Sequence, residues 1–168
     1  AARALGLSAE QIVPALEVLR APPGRLEPVE DPAREVKVFV DYAHTDDALC
    51  QVLTAMRPAV PDGAQLHVLF GCGGDRDSSK RPRMAKVAAS LADRVMVTSD
   101  NPRTEDPEAI IRDILAGIPE SAGAQVDHEV ERGRAIRQAV SIMDPDDVLI
   151  VAGKGHEDYQ ILGTHRIA

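Results

Sequence analysis

Arg76 ends a glycine-rich turn, Gly71-Cys72-Gly73-Gly74-Asp75-Arg76, and a polar loop, Asp100-Asn101-Pro102-Arg103, follows one helix and one strand later. The apolar run Leu66–Phe70 precedes the turn, so the stretch through Pro107 reads strand, loop, helix, strand, loop, helix. Loops that leave the carboxyl ends of neighbouring parallel strands meet in one crevice. Arg76 and Asp100–Arg103 are therefore expected to face one another across a shared pocket. Two guanidiniums, a carboxylate and an amide converging there would suit a ligand with its own carboxylate and ammonium. An amino acid is the simplest such ligand.

The elements that must position these groups follow from periodicity and punctuation. Ser8-Ala9-Glu10-Gln11 has the form of a capping box. Ile12, Leu16 and Leu19 follow at helical spacing, with Pro14 in the first turns. Pro22-Pro23-Gly24, Pro28 and Pro32 make the densest linker signal. It places a boundary near Gly24, with residues 1–24 as the tail and linker of a preceding domain and 25–168 as one domain. Val36–Val40 reads as a strand, and Asp46 or Asp47 as the cap of a helix carrying Leu49, Val52, Leu53 and Met56. Leu66–Phe70 and Arg94–Thr98 read as strands around a helix over Lys80–Leu91. Asp106-Pro107 starts a helix through Ile110, Ile111, Ile114 and Leu115. Ala124–Val130 reads as a strand, Arg134–Met143 as a helix, Val148–Ala152 as a buried strand and Tyr159–Ala168 as an edge hairpin. The alternation predicts an α/β fold, a Rossmann-like, mainly parallel sheet flanked by helices.

Composition narrows the function. Hydrophobic residues make up 44% of the 168 positions and aromatics only 2%, so the core must be built from Val, Ile, Leu and Ala. A net charge of −8 argues against a phosphate-backbone binder, and no nucleic-acid partner is expected. No apolar run nears the roughly 20 residues needed to span a bilayer, so no membrane partner is expected either. Cys50 and Cys72 stand in no metal-binding spacing and fit a reducing, cytoplasmic setting. The chain opens on Ala1 rather than Met and has the look of a fragment. Nucleotide fingerprints fail as well. A dinucleotide pattern from Gly71 would need glycine where Arg76 stands, and Gly153-Lys154 is followed by Gly155 rather than Ser or Thr.

Three ordered blocks together resemble the Mur ligases of cell-wall synthesis. They are Val40-Asp41-Tyr42-Ala43-His44-Thr45, Gly71-Cys72-Gly73-Gly74-Asp75-Arg76-Asp77 and Ala152-Gly153-Lys154-Gly155-His156-Glu157-Asp158-Tyr159-Gln160. The likeness is greatest to the MurE type, which extends UDP-N-acetylmuramoyl-L-alanyl-D-glutamate. Asp100-Asn101-Pro102-Arg103 matches the motif of the subtype that adds meso-diaminopimelate rather than lysine. The resemblance covers nearly the whole chain. It implies the carboxyl-terminal, amino-acid-binding domain of a three-domain, ATP-dependent amide ligase in the cytoplasm. ATP and Mg2+ would be held mostly by a central domain with a P-loop, and the UDP-MurNAc-dipeptide would be reached through domains outside this chain. No catalytic residue and no metal ligand is expected here, the isolated chain is expected not to turn over, and it is expected to be a monomer.

By the same resemblance Arg76, Asn101 and Arg103, in a loop that includes Pro102, bind the distal carboxylate of diaminopimelate. Asp100, Gly153 and Glu157 receive its distal ammonium. Arg25, Asp41 and His44 reach ATP, the arginine towards the phosphates and the aspartate towards the ribose or adenine. A site built around two arginines would leave them unpaired with lysine and so reject it. Plainer alternatives stand beside these roles. Arg76 could simply pair with Asp75 or Asp77, Asp100–Arg103 could be an Asx turn capping the Pro107 helix, and Glu157 could belong to a solvated acidic turn. His44 could be a capping or packing residue. His67 is expected to be structural, and Lys154 either to neutralise phosphate or to pair with Asp158. Rival functions are a lysine-adding ligase, a folylpolyglutamate synthase and a non-catalytic amino-acid-binding module. The chain departs from the family pattern at Asp46-Asp47, where Pro-Asp is usual, and at Asp77-Ser78-Ser79-Lys80, where Asp-Lys-Gly-Lys is usual.

Overall fold

Leu66–Phe70 and Val148–Ala152 are buried from end to end, as strands with both faces covered must be. They are β3 and β6 in a computed structural model that describes residues 6, 8–17, 22–29 and 36–167. The other elements are α1 (Ala9–Glu17), β1 (Glu27–Val29), β2 (Lys37–Asp41), α2 (Asp46–Met56), α3 (Lys80–Leu91), β4 (Arg94–Thr98), α4 (Pro107–Leu115), β5 (Gln125–Glu129) and α5 (Arg132–Ser141). A two-stranded hairpin, β7 (Gln160–Leu162) and β8 (His165–Ile167), follows β6. The main sheet has the order β1-β2-β6-β3-β4-β5, parallel throughout except for β1.

Period-two alternation divides the strand residues between two cores. Val68, Phe70, Val95, Val97 and Ile150 face α2, α3 and α4, which contribute Leu49, Leu53, Met84, Ile110, Ile111 and Ile114. Leu69, Met96, Leu149 and Val151 face the other way, onto Ala135 and Ala139 of α5. Burial of each large aliphatic side chain contributes about 1.5–3 kcal/mol. The chain steps outward from β3 to β4 to β5 through α3 and α4. It then crosses back through α5 and inserts β6 between β2 and β3. That reversal opens a crevice over the carboxyl ends of β2, β6, β3 and β4, where ligands of open α/β sheets bind.

Several sequence expectations shift. Part of the expected linker is the edge strand β1, and Pro28 stands within it, opposite Phe39. Proline lacks a ladder donor and is tolerated only at such an edge. The cap of α2 is Thr45, whose Oγ1 accepts from Ala48 N at 3.2 Å, while Asp46 and Asp47 lie in the first turn. α5 begins at Arg132 because Glu131 caps it, accepting from Gly133 N and Arg134 N. Pro14 lies inside α1, whereas Leu19, Pro32 and Ala168 fall outside the described residues. No helix among the described residues is long and apolar enough to cross a membrane.

Candidate functional site

The loops leaving β2, β3, β4 and β6 enclose a cavity of about 490 Å³. Arg76, Asp100, Asn101, Arg103, Gly153 and Glu157 all line it, joined by Tyr42, His44, Thr45 and Lys80. The topology therefore brings Arg76 together with Asp100, Asn101 and Arg103, as the strand and loop spacing predicts, and adds Gly153 and Glu157, which the family resemblance had pointed to.

The Asp100–Arg103 loop is held rigidly. The amide of Asn101 is engaged at both ends: Oδ1 accepts from Lys154 Nζ at 3.0 Å and from Ile161 N at 2.9 Å, and Nδ2 donates to Glu157 Oε2 at 3.3 Å. Gln160 Nε2 donates to Asp100 O at 2.6 Å. Arg103 N donates to Ile161 O, and Gly163 N donates back to Arg103 O. Arg103 itself has φ 53°, an uncommon conformation for a non-glycine residue. Its Nη1 donates to Gly74 O at 2.7 Å, which leaves the rest of the fork at the cavity.

Gly74 is where the two loops touch. Its N–H donates to Asn101 O at 2.9 Å, and a Cβ there would run into the carbonyl of Pro102. Asp75 ties the loops a second time, accepting from Thr104 N at 3.1 Å and Thr104 Oγ1 at 2.8 Å. Those two bonds hold its carboxyl below the ordinary aspartate range. Beneath both loops the buried Arg81 donates to Glu105, Asp113 and Gly73 O. Glu105 in turn accepts from Asp75 N.

The plainer alternatives fare differently. Arg76 makes no ion pair among the described residues; its Nη1 donates only to Asp75 O, at 3.1 Å. The cap of α4 is Asp106, which accepts from Glu108 N, so the Asp100–Arg103 loop does not cap that helix. Lys154 does not pair with Asp158, which lies 3.7 Å from Arg166. It reaches Asp100 at 3.0 Å and Glu157 at 3.9 Å and donates to Tyr159 O at 2.7 Å. His67 is structural as expected: buried, it lies 3.0 Å from Asp147, and burial pulls its pKa below the ordinary histidine value against the pull of that carboxylate. Burial pushes the Cys72 thiol up to about 12, which keeps it protonated and removes it as a nucleophile.

Of the three residues expected towards ATP, only His44 lines the cavity, at its β2 end; Asp41 and Arg25 lie outside it. Asp41 is turned inward, accepting from Leu26 N at 2.9 Å and Ala43 N at 2.8 Å, so it fastens the start of the domain to the β2 loop. Arg25 is exposed, its guanidinium 5.1 Å from the Tyr42 ring centroid. His44 and His156 pack against the same ring at 4.8 and 5.9 Å.

A family profile described as "Mur ligase, glutamate ligase domain" matches residues 24–155. The chain belongs to the Mur ligase family. A UDP-N-acetylmuramoyl-L-alanyl-D-glutamate--2,6-diaminopimelate ligase of Thermosynechococcus vestitus is 53% identical over 165 residues, covering 98% of this chain and 32% of that relative. A solved structure of a ligase with the same name is 42% identical, with a TM-score of 0.80 over 99% of this chain and 33% of its own. A UDP-N-acetylmuramate-alanine ligase of Thermotoga maritima, 24% identical with a TM-score of 0.63, shares the fold. The chain thus spans about a third of the length of the relatives it matches.

The cavity of this Mur ligase domain also has lining residues for which the sequence suggested no role, Lys80 among them. Lys80 lines the cavity and donates to His44 O at 2.7 Å. The segment Asp77–Lys80, which departs from the family pattern, was the available signal. Of the two alternatives for Lys154, the pair with Asp158 is not made; its carboxylate neighbours are Asp100, 54 positions back in the chain, and Glu157.

Proposed function

We propose that this domain is the amino-acid-receiving, carboxyl-terminal part of a cytoplasmic, ATP-dependent ligase that joins meso-diaminopimelate to UDP-N-acetylmuramoyl-L-alanyl-D-glutamate. Residues 1–24 would close the preceding, ATP-handling domain. The observation that carries the reading is one cavity lined by both Arg103, fixed by Gly74, and Arg76, which has no carboxylate partner among the described residues. Both forks suit the distal carboxylate. Glu157 and the turn at Gly153 (φ 110°) supply the acceptors for the neighbouring ammonium. The similarity to ligases named for 2,6-diaminopimelate supports the same acceptor.

In this reaction the D-glutamyl carboxylate takes the terminal phosphoryl group of ATP. The free amine of diaminopimelate then attacks the acyl carbon, the carbon–oxygen bond to phosphate breaks, and the nitrogen loses a proton. This chain's residues hold the amino acid by its far end so that the reacting amine points at the acyl phosphate, converting an encounter into a positioned attack. Mg2+, when bound, would neutralise phosphate charge. The described residues bring together no group of three acid, histidine or cysteine side chains that could hold it. Arg25, His44 and the Tyr42 ring form the face turned to ATP, and Asp41 positions that face.

The test is acceptor competition in the full-length protein carrying this domain. Diaminopimelate is expected to be used and lysine rejected, because lysine would leave two guanidiniums unpaired. Arg103→Ala is expected to lower kcat/KM for diaminopimelate roughly 10- to 100-fold, the size of a lost charge-assisted hydrogen bond. Equal use of lysine by the unmodified protein would overturn the reading.

A further inference from the structure

Lys154 does not line the amino-acid cavity, yet its ammonium sits directly behind it. Its side chain is 10% exposed, and that of Asp100 is 12% exposed. Asp100 Oδ1 receives no aligned hydrogen bond, so the 3.0 Å contact is an electrostatic one. A second buried cation stands near the same carboxylate. Arg132, 7% exposed, donates from Nη2 to Ala152 O at 3.0 Å, but its Nη1 has no partner. Burial drives the Arg132 pKa down, and Asp100 is the charge that opposes this. Behind the cavity, then, Lys154 sits on the Asp100 carboxylate, and the buried Arg132 is fastened to the carbonyl of Ala152 at the end of β6.

This changes what a ligand meets. An isolated Asp100 beside Glu157 would make this end of the cavity attractive to any ammonium. With Lys154 on Asp100 and 3.9 Å from Glu157, much of that negative charge is already compensated inside the protein. An end group carrying only an ammonium finds a weakened receptor and two unanswered guanidiniums. An end group carrying an ammonium and a carboxylate satisfies both sides.

We propose that Lys154, backed by Arg132, is a specificity-positioning residue: its buried charge mutes Asp100 and Glu157 so that the cavity accepts an amino acid with a zwitterionic far end and refuses one ending in a lone ammonium. The inference rests on the proposed function and concerns residues the ligand does not touch. Lys154 also tethers Asn101 to Tyr159 O, so a merely structural role must be separated from the electrostatic one.

The experiment compares the full-length protein with its Lys154→Gln and Lys154→Arg variants, reading kcat/KM for meso-diaminopimelate and for lysine. Thermal unfolding of each variant is followed in parallel. Glutamine keeps a donor for the tether and removes the charge; arginine keeps the charge. The expected result is that Lys154→Gln loses at least tenfold in the diaminopimelate-to-lysine ratio, with lysine use rising, while Lys154→Arg keeps the ratio. An equal fall for both acceptors in Lys154→Gln, or an unchanged ratio, would overturn the inference and leave Lys154 as a tether. Should the glutamine variant unfold, the arginine variant decides, since a shifted ratio with the charge retained also overturns it. Failure of the functional reading looks different: the unmodified protein would then not prefer diaminopimelate at all.

Discussion

On one side of the cavity, Asn101 has both ends of its amide bonded inside the protein, and the Arg103 backbone is clamped by Ile161 and Gly163. On the other, Arg76 is exposed and tethered by a single bond to the neighbouring carbonyl of Asp75. Both walls present a guanidinium to the same space, but only one is preorganised. The difference lies in what each loop packs against. The Asp100–Arg103 loop lies under the β7–β8 hairpin, which supplies Gln160, Ile161 and Gly163 as partners, and above the buried Lys154. The Gly73–Arg76 turn touches its neighbour through Gly74 and Asp75, rests on Arg81 through the carbonyl of Gly73, and exposes Asp75 and Arg76 to solvent. A fork fixed before any ligand arrives loses less side-chain entropy on binding than a free one.

The strongest way to break this contrast is to remove the hub of the rigid wall. Asn101→Ala leaves Lys154 Nζ, Ile161 N and Glu157 each short of a partner. A loss of about 3 kcal/mol in unfolding free energy is expected by denaturant titration, together with loss of diaminopimelate use. Stability within 1 kcal/mol of the unmodified chain would show that the wall is not held from within.

Arg76→Ala should sharpen it from the other side. Its stability should stay within about 0.5 kcal/mol, as for an exposed side chain with one bond. KM for diaminopimelate should rise roughly tenfold, the effect of one ligand-facing charge pair. A large fall in melting temperature would mean that Arg76 holds the turn together.

The smallest effect concerns the tie between the walls. The folded pKa of Asp75 is depressed by its bonds to Thr104, so its contribution is present above the unfolded value near 3.9 and is lost as pH falls through the folded value. In an NMR titration the Thr104 amide should report a midpoint below about 3.9. The Asp75→Asn chain should lose less melting temperature than the unmodified one on acidification in that window. A midpoint at or above the ordinary aspartate value would remove the tie.

Much of the scaffold was legible because local signals and tertiary packing agree. Leu66–Phe70 and Val148–Ala152 are apolar enough to be strands in any setting, and Asp106-Pro107 starts a helix by cap chemistry alone. β1 was hidden by Pro28, a residue that argues against a strand until an edge is available. The start of α5 was displaced by Gly133, a poor helix former that Glu131 compensates by capping.

In the site, the meeting of Arg76 with Asp100, Asn101 and Arg103 follows from the sequence, whereas Gly153 and Glu157 were assigned to it only by the family resemblance and join it because of where β6 lies. Residue type decides charge, and the rule that parallel-strand loops converge follows from chirality and connectivity. Which of them are free to meet a ligand was decided only by the tertiary structure. Lys154 lies 54 positions from Asp100 and 53 from Asn101, and no spacing pattern joins them. The contact exists because β6 is inserted beside β3, bringing its trailing turn against the loop that leaves β4. Charge is written residue by residue, but the compensation of one charge by another depends on distance through space.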